Sequence, residues 1–95
     1  PDIAPPTITI SATYTGANAE TVQKAVIAPL EQAINGVENM TYMTATATNT
    51  GQATITVYFR QGTDPDMATV NIKNRVAEAE GLLPAEVTQR SRPPY

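Results

Sequence analysis

The sequence contains no cysteine and no histidine. Without Cys there is no disulfide staple, no thiol nucleophile and no thiolate metal site. Without His there is no imidazole for acid–base work or metal ligation. Aromatics are few: one Phe, four Tyr and no Trp. Basic residues are also scarce, six Lys and Arg against nine Asp and Glu, for a net charge of −3. That balance argues against a nucleic-acid module, which carries a basic face. No apolar run approaches the roughly 18 residues of a membrane span. The opening Pro1-Asp2-Ile3-Ala4-Pro5-Pro6 has neither the basic nor the apolar region of a signal peptide. A chain that starts at Pro without Met reads as a processed or excised piece, so the missing signal says nothing about compartment.

What is present suffices for one small domain. The chain has 95 residues, and its 41% hydrophobic content supplies a single core. A chain this short buries only about 60% of the surface that its unfolded state exposes, so a solitary fold is marginally stable.

Pro1, Pro5 and Pro6 predict an extended entry. From Thr7 to Tyr14, Ile8, Ile10, Ala12 and Tyr14 alternate with Thr7, Thr9, Ser11 and Thr13, the pattern of a half-buried strand. Asn18 reads as a helix cap, and Glu20 opposes the dipole of the helix that follows. Over Ala19–Asn35 the stripe Ala19, Val22, Val26, Leu30, Ala33 falls within about 80° of arc. Pro29 removes the hydrogen bond to the Ala25 carbonyl, which predicts a kink without a break. Asn35-Gly36 supplies the stop.

Two alternating runs follow, 40–48 and 53–60, around the turn Asn49-Thr50-Gly51-Gln52. One face is apolar (Thr41, Met43, Ala45, Ala47; Ala53, Ile55, Val57, Phe59) and the other is mostly Thr. Thr63-Asp64-Pro65-Asp66 combines a cap, a Pro at the first helical position and an acid in the first turn. The helix it starts runs to about Glu80, ended by Gly81 and Pro84. A short fourth strand fits 85–89, and Arg90–Tyr95 reads as a tail. The predicted class is α+β: a ferredoxin-like split β-α-β, in the order β-α-β-β-α, whose antiparallel sheet carries both helices on one face.

Few residues point to chemistry. Asp64 and Asp66 form an acid pair, but capping and dipole complementation explain both, and no third ligand lies near in sequence. Asn39-Met40-Thr41 matches a glycosylation sequon, a triplet that arises often by chance. The basic-glycine-aromatic pattern of an RNA-binding sheet is missing. So is a Gly- or Arg-rich phosphate cradle. With no nucleophile–base pair, catalysis is not expected, and nothing calls for a cofactor or metal. The hydroxyl-rich side of the hairpin is either a solvated face rich in a good strand former or an uncharged wall for amphiphilic ligands.

The second helix is more informative. Ala68, Ile72, Val76, Ala79 and Leu83 form its core stripe. Directly opposite lie Asp66, Met67, Val70, Asn74, Ala77 and Gly81, while Lys73, Arg75, Glu78 and Glu80 flank them. An outer face of small and apolar residues suggests a second packed surface, helix against helix.

Several blocks resemble a known family. Pro1–Pro6 with Ile8-Thr9-Ile10-Ser11-Ala12, Tyr14-Thr15-Gly16-Ala17, the run from Pro29 to Met40, Gly62-Thr63-Asp64-Pro65-Asp66 and Leu82–Val87 agree in order and spacing over residues 1–89. They are similar to the first periplasmic segment of resistance-nodulation-division multidrug efflux pumps, the AcrB-like hydrophobe/amphiphile exporters of Gram-negative bacteria. The resemblance implies the first porter subdomain (PN1) of a homotrimeric, proton-driven exporter of the inner membrane. It places the second helix on the threefold axis, with Asp66, Val70 and Asn74 at the central pore. It implies that the sheet lines the drug pathway through Ser11, Thr44, Thr54 and Thr56, though Thr stands at some positions where relatives carry Ser or Gln. Its implied partners are the rest of the porter domain, a periplasmic adaptor, an outer-membrane channel and amphiphilic small molecules.

Two departures accompany the resemblance. The family's first transmembrane helix precedes the residue matching Pro1, and the proton-conducting carboxylate–Lys network is missing, so this chain is expected not to pump by itself. Residues 90–95 do not resemble the family's continuation and are expected to be vector-derived or joining sequence. The competing assignment is a free-standing ferredoxin-like domain that binds a ligand or a protein.

Overall fold

The computed structural model describes residues 4–92, with side chains through Val87. The chain runs β1 (Thr7–Tyr14), α1 (Ala19–Val22), a π-helical turn (Gln23–Ile27), α2 (Ala28–Ile34), β2 (Met40–Ala47), β3 (Gln52–Phe59), α3 (Pro65–Ala79), a 3₁₀ turn (Glu80–Leu82) and β4 (Val87–Arg92). The sheet order is β2-β3-β1-β4, with every neighbouring pair antiparallel. The predicted α+β class and split β-α-β order hold.

The two central strands carry the strictest alternation. Ile8, Ile10 and Ala12 of β1 and Ala53, Ile55, Val57 and Phe59 of β3 are buried, whereas the residues between them are half-buried. Both helices cover that apolar side and share one core cluster with it. No polar side chain is buried among the described residues. Burial of this apolar side fixes the register, because a slip of one residue would expose every core side chain.

The first helix departs from the expected stripe in a way that Pro29 explains. It is continuous, as predicted, but a π turn precedes the proline: the Ala28 amide donates to the Gln23 carbonyl, five residues back. Val22, Val26, Leu30 and Ile34 are all buried, four residues apart, and Ile27 joins them. In a regular α-helix each four-residue step overshoots a turn by about 40°, and the stripe would drift. A π turn holds more residues and takes up that overshoot. Ile34 therefore takes the deep position expected for Ala33, which is half-buried.

Three boundaries differ from expectation. Thr41, assigned to the apolar face, is exposed. A bulge lies between the Met40–Phe59 and Tyr42–Tyr58 pairs, so Thr41 has no opposite partner and its hydroxyl donates to the Tyr58 carbonyl at 3.0 Å. Gln52, expected in the turn, opens β3. The fourth strand runs beyond 89 through Arg92, because β1 offers a free edge as far as Thr9. Pro1, the start of the predicted extended entry, and Pro93–Tyr95 of the predicted tail lie outside the described residues.

α3 starts as predicted, with the Asp64 carboxylate accepting from the Asp66 amide at 2.9 Å. Its flank residue Arg75 does more than face water. The guanidinium donates to the carbonyls of Ala33 (3.1 Å) and Asn35 (3.4 Å) and so closes the C-terminal end of the first helix. Terminal carbonyls need such a donor, and a cation there also opposes the helix dipole. Arg75→Ala is expected to lower stability by about 1–2 kcal/mol, because charge-assisted hydrogen bonds are lost. Urea unfolding of the variant within experimental error of wild type would show that water substitutes fully.

Candidate functional site

Two surfaces are left over once the core is formed: the sheet face away from the helices, and the outer face of α3. The first is a consequence of alternation. Cross-strand register lines up three rows: Ser11–Thr54–Thr46, Thr9–Thr56–Thr44 and Thr7–Tyr58–Tyr42. The four positions expected to line a pathway, Ser11, Thr44, Thr54 and Thr56, fall in two adjacent rows of this single face. Ser11 pairs directly with Thr54, and Thr44 with Thr56. Residues on β1 and β3 are half-buried by their neighbours, while Thr44 and Thr46 on the edge strand are exposed. The backbone of β4 brings Arg90 and Arg92 into register with Ser11 and Thr9.

Tyr42 and Tyr58 stack at one end of this face, with ring centroids 4.3 Å apart and planes 9° from parallel. The sequence reading did not single them out. The signal was there: a turn centred on residue 50 makes cross-strand partners sum to 100, which pairs 42 with 58. The rows carry hydroxyls and aromatic rings but no charged side chain on β1, β2 or β3. Such a surface donates and accepts hydrogen bonds in many directions and contacts apolar groups through Thr methyls. Among the described residues no group of three or more His, Cys, Asp or Glu converges on a metal position. Asn39, of the sequon, is exposed in a turn with φ of 68°.

The second surface is the outer stripe of α3. Ala68, Ile72, Val76 and Ala79 are buried against the sheet and the first helix. Asp66, Val70 and Asn74 stand together on the opposite side, all exposed, with Met67 and Ala77 beside them. Val70 is 49% exposed and Met67 54%, an unusual placement for large apolar side chains on a helix flanked by charges. One flank of α3 meets the loop before β2 in a trough of ≈ 270 Å³ lined by Val37, Glu38, Asn71, Asn74, Arg75 and Glu78. No helix among the described residues is long and apolar enough to cross a membrane.

Comparison with known proteins shows the family. The AcrB/AcrD/AcrF family model matches residues 1–94. The multidrug export protein AcrF of Escherichia coli is 48% identical over 90 residues, covering 95% of this chain and 9% of AcrF. The toluene efflux pump membrane transporter TtgB of Pseudomonas putida and the multidrug resistance protein MdtF of Escherichia coli are each 47% identical over the same coverage. The chain thus spans about a tenth of the length of these relatives. A match along nearly the whole chain, at close to half identity, settles the relationship: this chain belongs to the AcrB/AcrD/AcrF family of efflux transporters.

Proposed function

We propose that this chain is the first porter subdomain, PN1, of a homotrimeric, proton-driven multidrug exporter, held in the periplasm by a Gram-negative inner-membrane protein. In this reading the chain is a working part of a transporter and not a catalyst. α3 stands on the threefold axis, where Asp66, Val70 and Asn74 meet their symmetry mates and close the central pore. The open sheet face, with Ser11, Thr44, Thr54 and Thr56, forms part of the wall along which amphiphilic compounds pass. The rest of the porter domain, a periplasmic adaptor and an outer-membrane channel complete the machine.

The observation that carries the reading is the outer stripe of α3. A solvated helix would set Lys and Glu there, yet the stripe presents Val70, Met67 and Ala77 to solvent. Three copies around an axis bury those side chains, and Asn74 hydrogen-bonds to its copies. The uncharged rows of β1, β2 and β3 support the second half of the reading, because hydroxyls and stacked rings accommodate varied ligands without the desolvation cost of a fixed charge.

Val70→Cys in the full-length transporter, with no other cysteine in the porter domain, tests the axial placement. Oxidation is expected to join protomers and stop export, and reduction to restore it. If Val70→Cys crosslinks no faster than Gln32→Cys on the exposed side of the first helix, the axial placement is wrong.

A further inference from the structure

The outer face of α3 has a finer pattern than an apolar stripe. Met67, Val70, Asn74, Ala77 and Gly81 are separated alternately by three and four residues, the last reaching into the 3₁₀ turn. That is the a/d spacing of a heptad: Met67, Asn74 and Gly81 at a, Val70 and Ala77 at d. All five are exposed in the single chain, so the seam is formed and unoccupied by anything else in the described residues. A lone Asn at an a position is the usual device for setting register and copy number. Ala77 and Gly81 leave room for close approach toward the C-terminal end.

The heptad assigns the flanks. Lys73 falls at g, and Glu78, five residues on, at e. In parallel copies related by rotation, the g flank of one helix faces the e flank of the next, as in any head-to-tail contact. Glu78 borders the trough on the e flank, together with Glu38 from the loop before β2. Among the described residues Lys73, Glu38 and Glu78 form no ion pair within the chain, whereas Lys24 and Glu20 do at 3.1 Å. The one cation lining the trough, Arg75, is turned toward the Ala33 and Asn35 carbonyls. Among the described residues the trough therefore presents two unpaired carboxylates.

We propose that α3 packs as a parallel coiled-coil seam in which Lys73 of one copy seats its ammonium in the trough of the next, between Glu78 and Glu38. Five residues separate the two Cα levels by about 7.5 Å along the axis. Glu78 leans back toward the helix N-terminus, as every helical side chain does, and the four-carbon stem of Lys73 spans the remainder. The pair fixes vertical register as well as adding attraction. Val70 and Asn74 meet their own copies only when Lys73 is level with the trough. This rests on the axial reading of α3 and goes beyond it by naming the flank contact between neighbouring copies.

The test uses charge reversal in the full-length transporter, with Val70→Cys crosslinking as readout. Lys73→Glu and Glu78→Lys, each alone, set like charges against each other and are expected to lower the crosslinked fraction about threefold, within the range for exposed ion pairs. The double variant Lys73→Glu with Glu78→Lys restores the pair in reversed sense and is expected to recover most of that loss. Equal crosslinking in all four backgrounds, or a double variant as poor as the worse single one, would overturn the pairing while leaving α3 on the axis. Failure of Val70→Cys to crosslink in the unreversed background would instead remove the axial reading and the pairing with it.

Discussion

Gly51→Ala is expected to cost more stability than any other single-atom-scale change in the chain. Gly51 sits in the hairpin turn with φ of 91°, and a Cβ there would lie 2.1 Å from the Tyr14 carbonyl oxygen. The close approach is functional in the fold. The Gly51 carbonyl accepts from the Tyr14 amide at 2.7 Å, and Asn49 Oδ1 accepts from the Ala19 amide at 3.0 Å. These two bonds join the tip of the hairpin to the end of β1 and the start of α1. An alanine would carry a left-handed cost of about 1–2 kcal/mol. It would also force the β1–α1 junction away from the turn, adding about 1–3 kcal/mol as overpacking does. Gly16→Ala separates the two contributions. Its φ is 86°, with nothing within 4 Å of the added carbon, so it carries the conformational cost alone. Urea unfolding of the isolated chain should therefore rank wild type above Gly16→Ala and both well above Gly51→Ala. Equal midpoints for the two alanine variants would mean that the turn does not bear on Tyr14.

Phe59→Ala should produce a loss of comparable size by a different route. Phe59 is the largest buried side chain, at the end of β3 and opposite Met40 across the bulged edge strand. Truncation to Ala in a packed core typically costs about 3–5 kcal/mol, part transfer and part cavity. A domain of this size has about 5–14 kcal/mol in all, at the usual stability per residue. The variant should therefore unfold at much lower urea concentration, with its slope unchanged. Thr56→Ala, on the open face of the same strand, should move the midpoint little, within about 0.5 kcal/mol. If Phe59→Ala and Thr56→Ala cost the same, the assignment of inner and outer faces on β3 is wrong.

The contrast between those two substitutions shows what could be read without coordinates. Alternation in 7–14 and 53–59 was enough to assign faces, because the side-chain period of a strand is two residues and only one side of this sheet is covered. The start of α3 was equally legible, since Asp64, Pro65 and Asp66 each act within one turn of the backbone. The outer face of α3, with Asp66, Met67, Val70, Asn74, Ala77 and Gly81, followed from helical periodicity. Where local rules met a distant demand, they were insufficient. Pro29 announced a perturbed helix, but the π turn that realigns Leu30 and Ile34 exists because both must reach the same sheet as Val22 and Val26. Thr41 fitted the alternation and is nevertheless extruded, because Met40 and Met43 both belong to the inner side of the sheet.

By itself, then, the sequence determined the order of the elements, most of their inner and outer faces and the family resemblance, all of which depend on residues close together in the chain or on the order of short blocks. Tertiary structure alone decided which distant residues meet. It set the hydroxyl row of β1 beside the hairpin of β2 and β3, turned Arg75 onto the end of a helix some forty residues earlier, and opened the acidic trough beside Asn74. The physical reason is the range of the forces involved. Dihedral preference and capping act over a turn, so they are written locally. Cross-strand pairing and helix-on-sheet packing join segments whose contact depends on the whole chain having closed around one core.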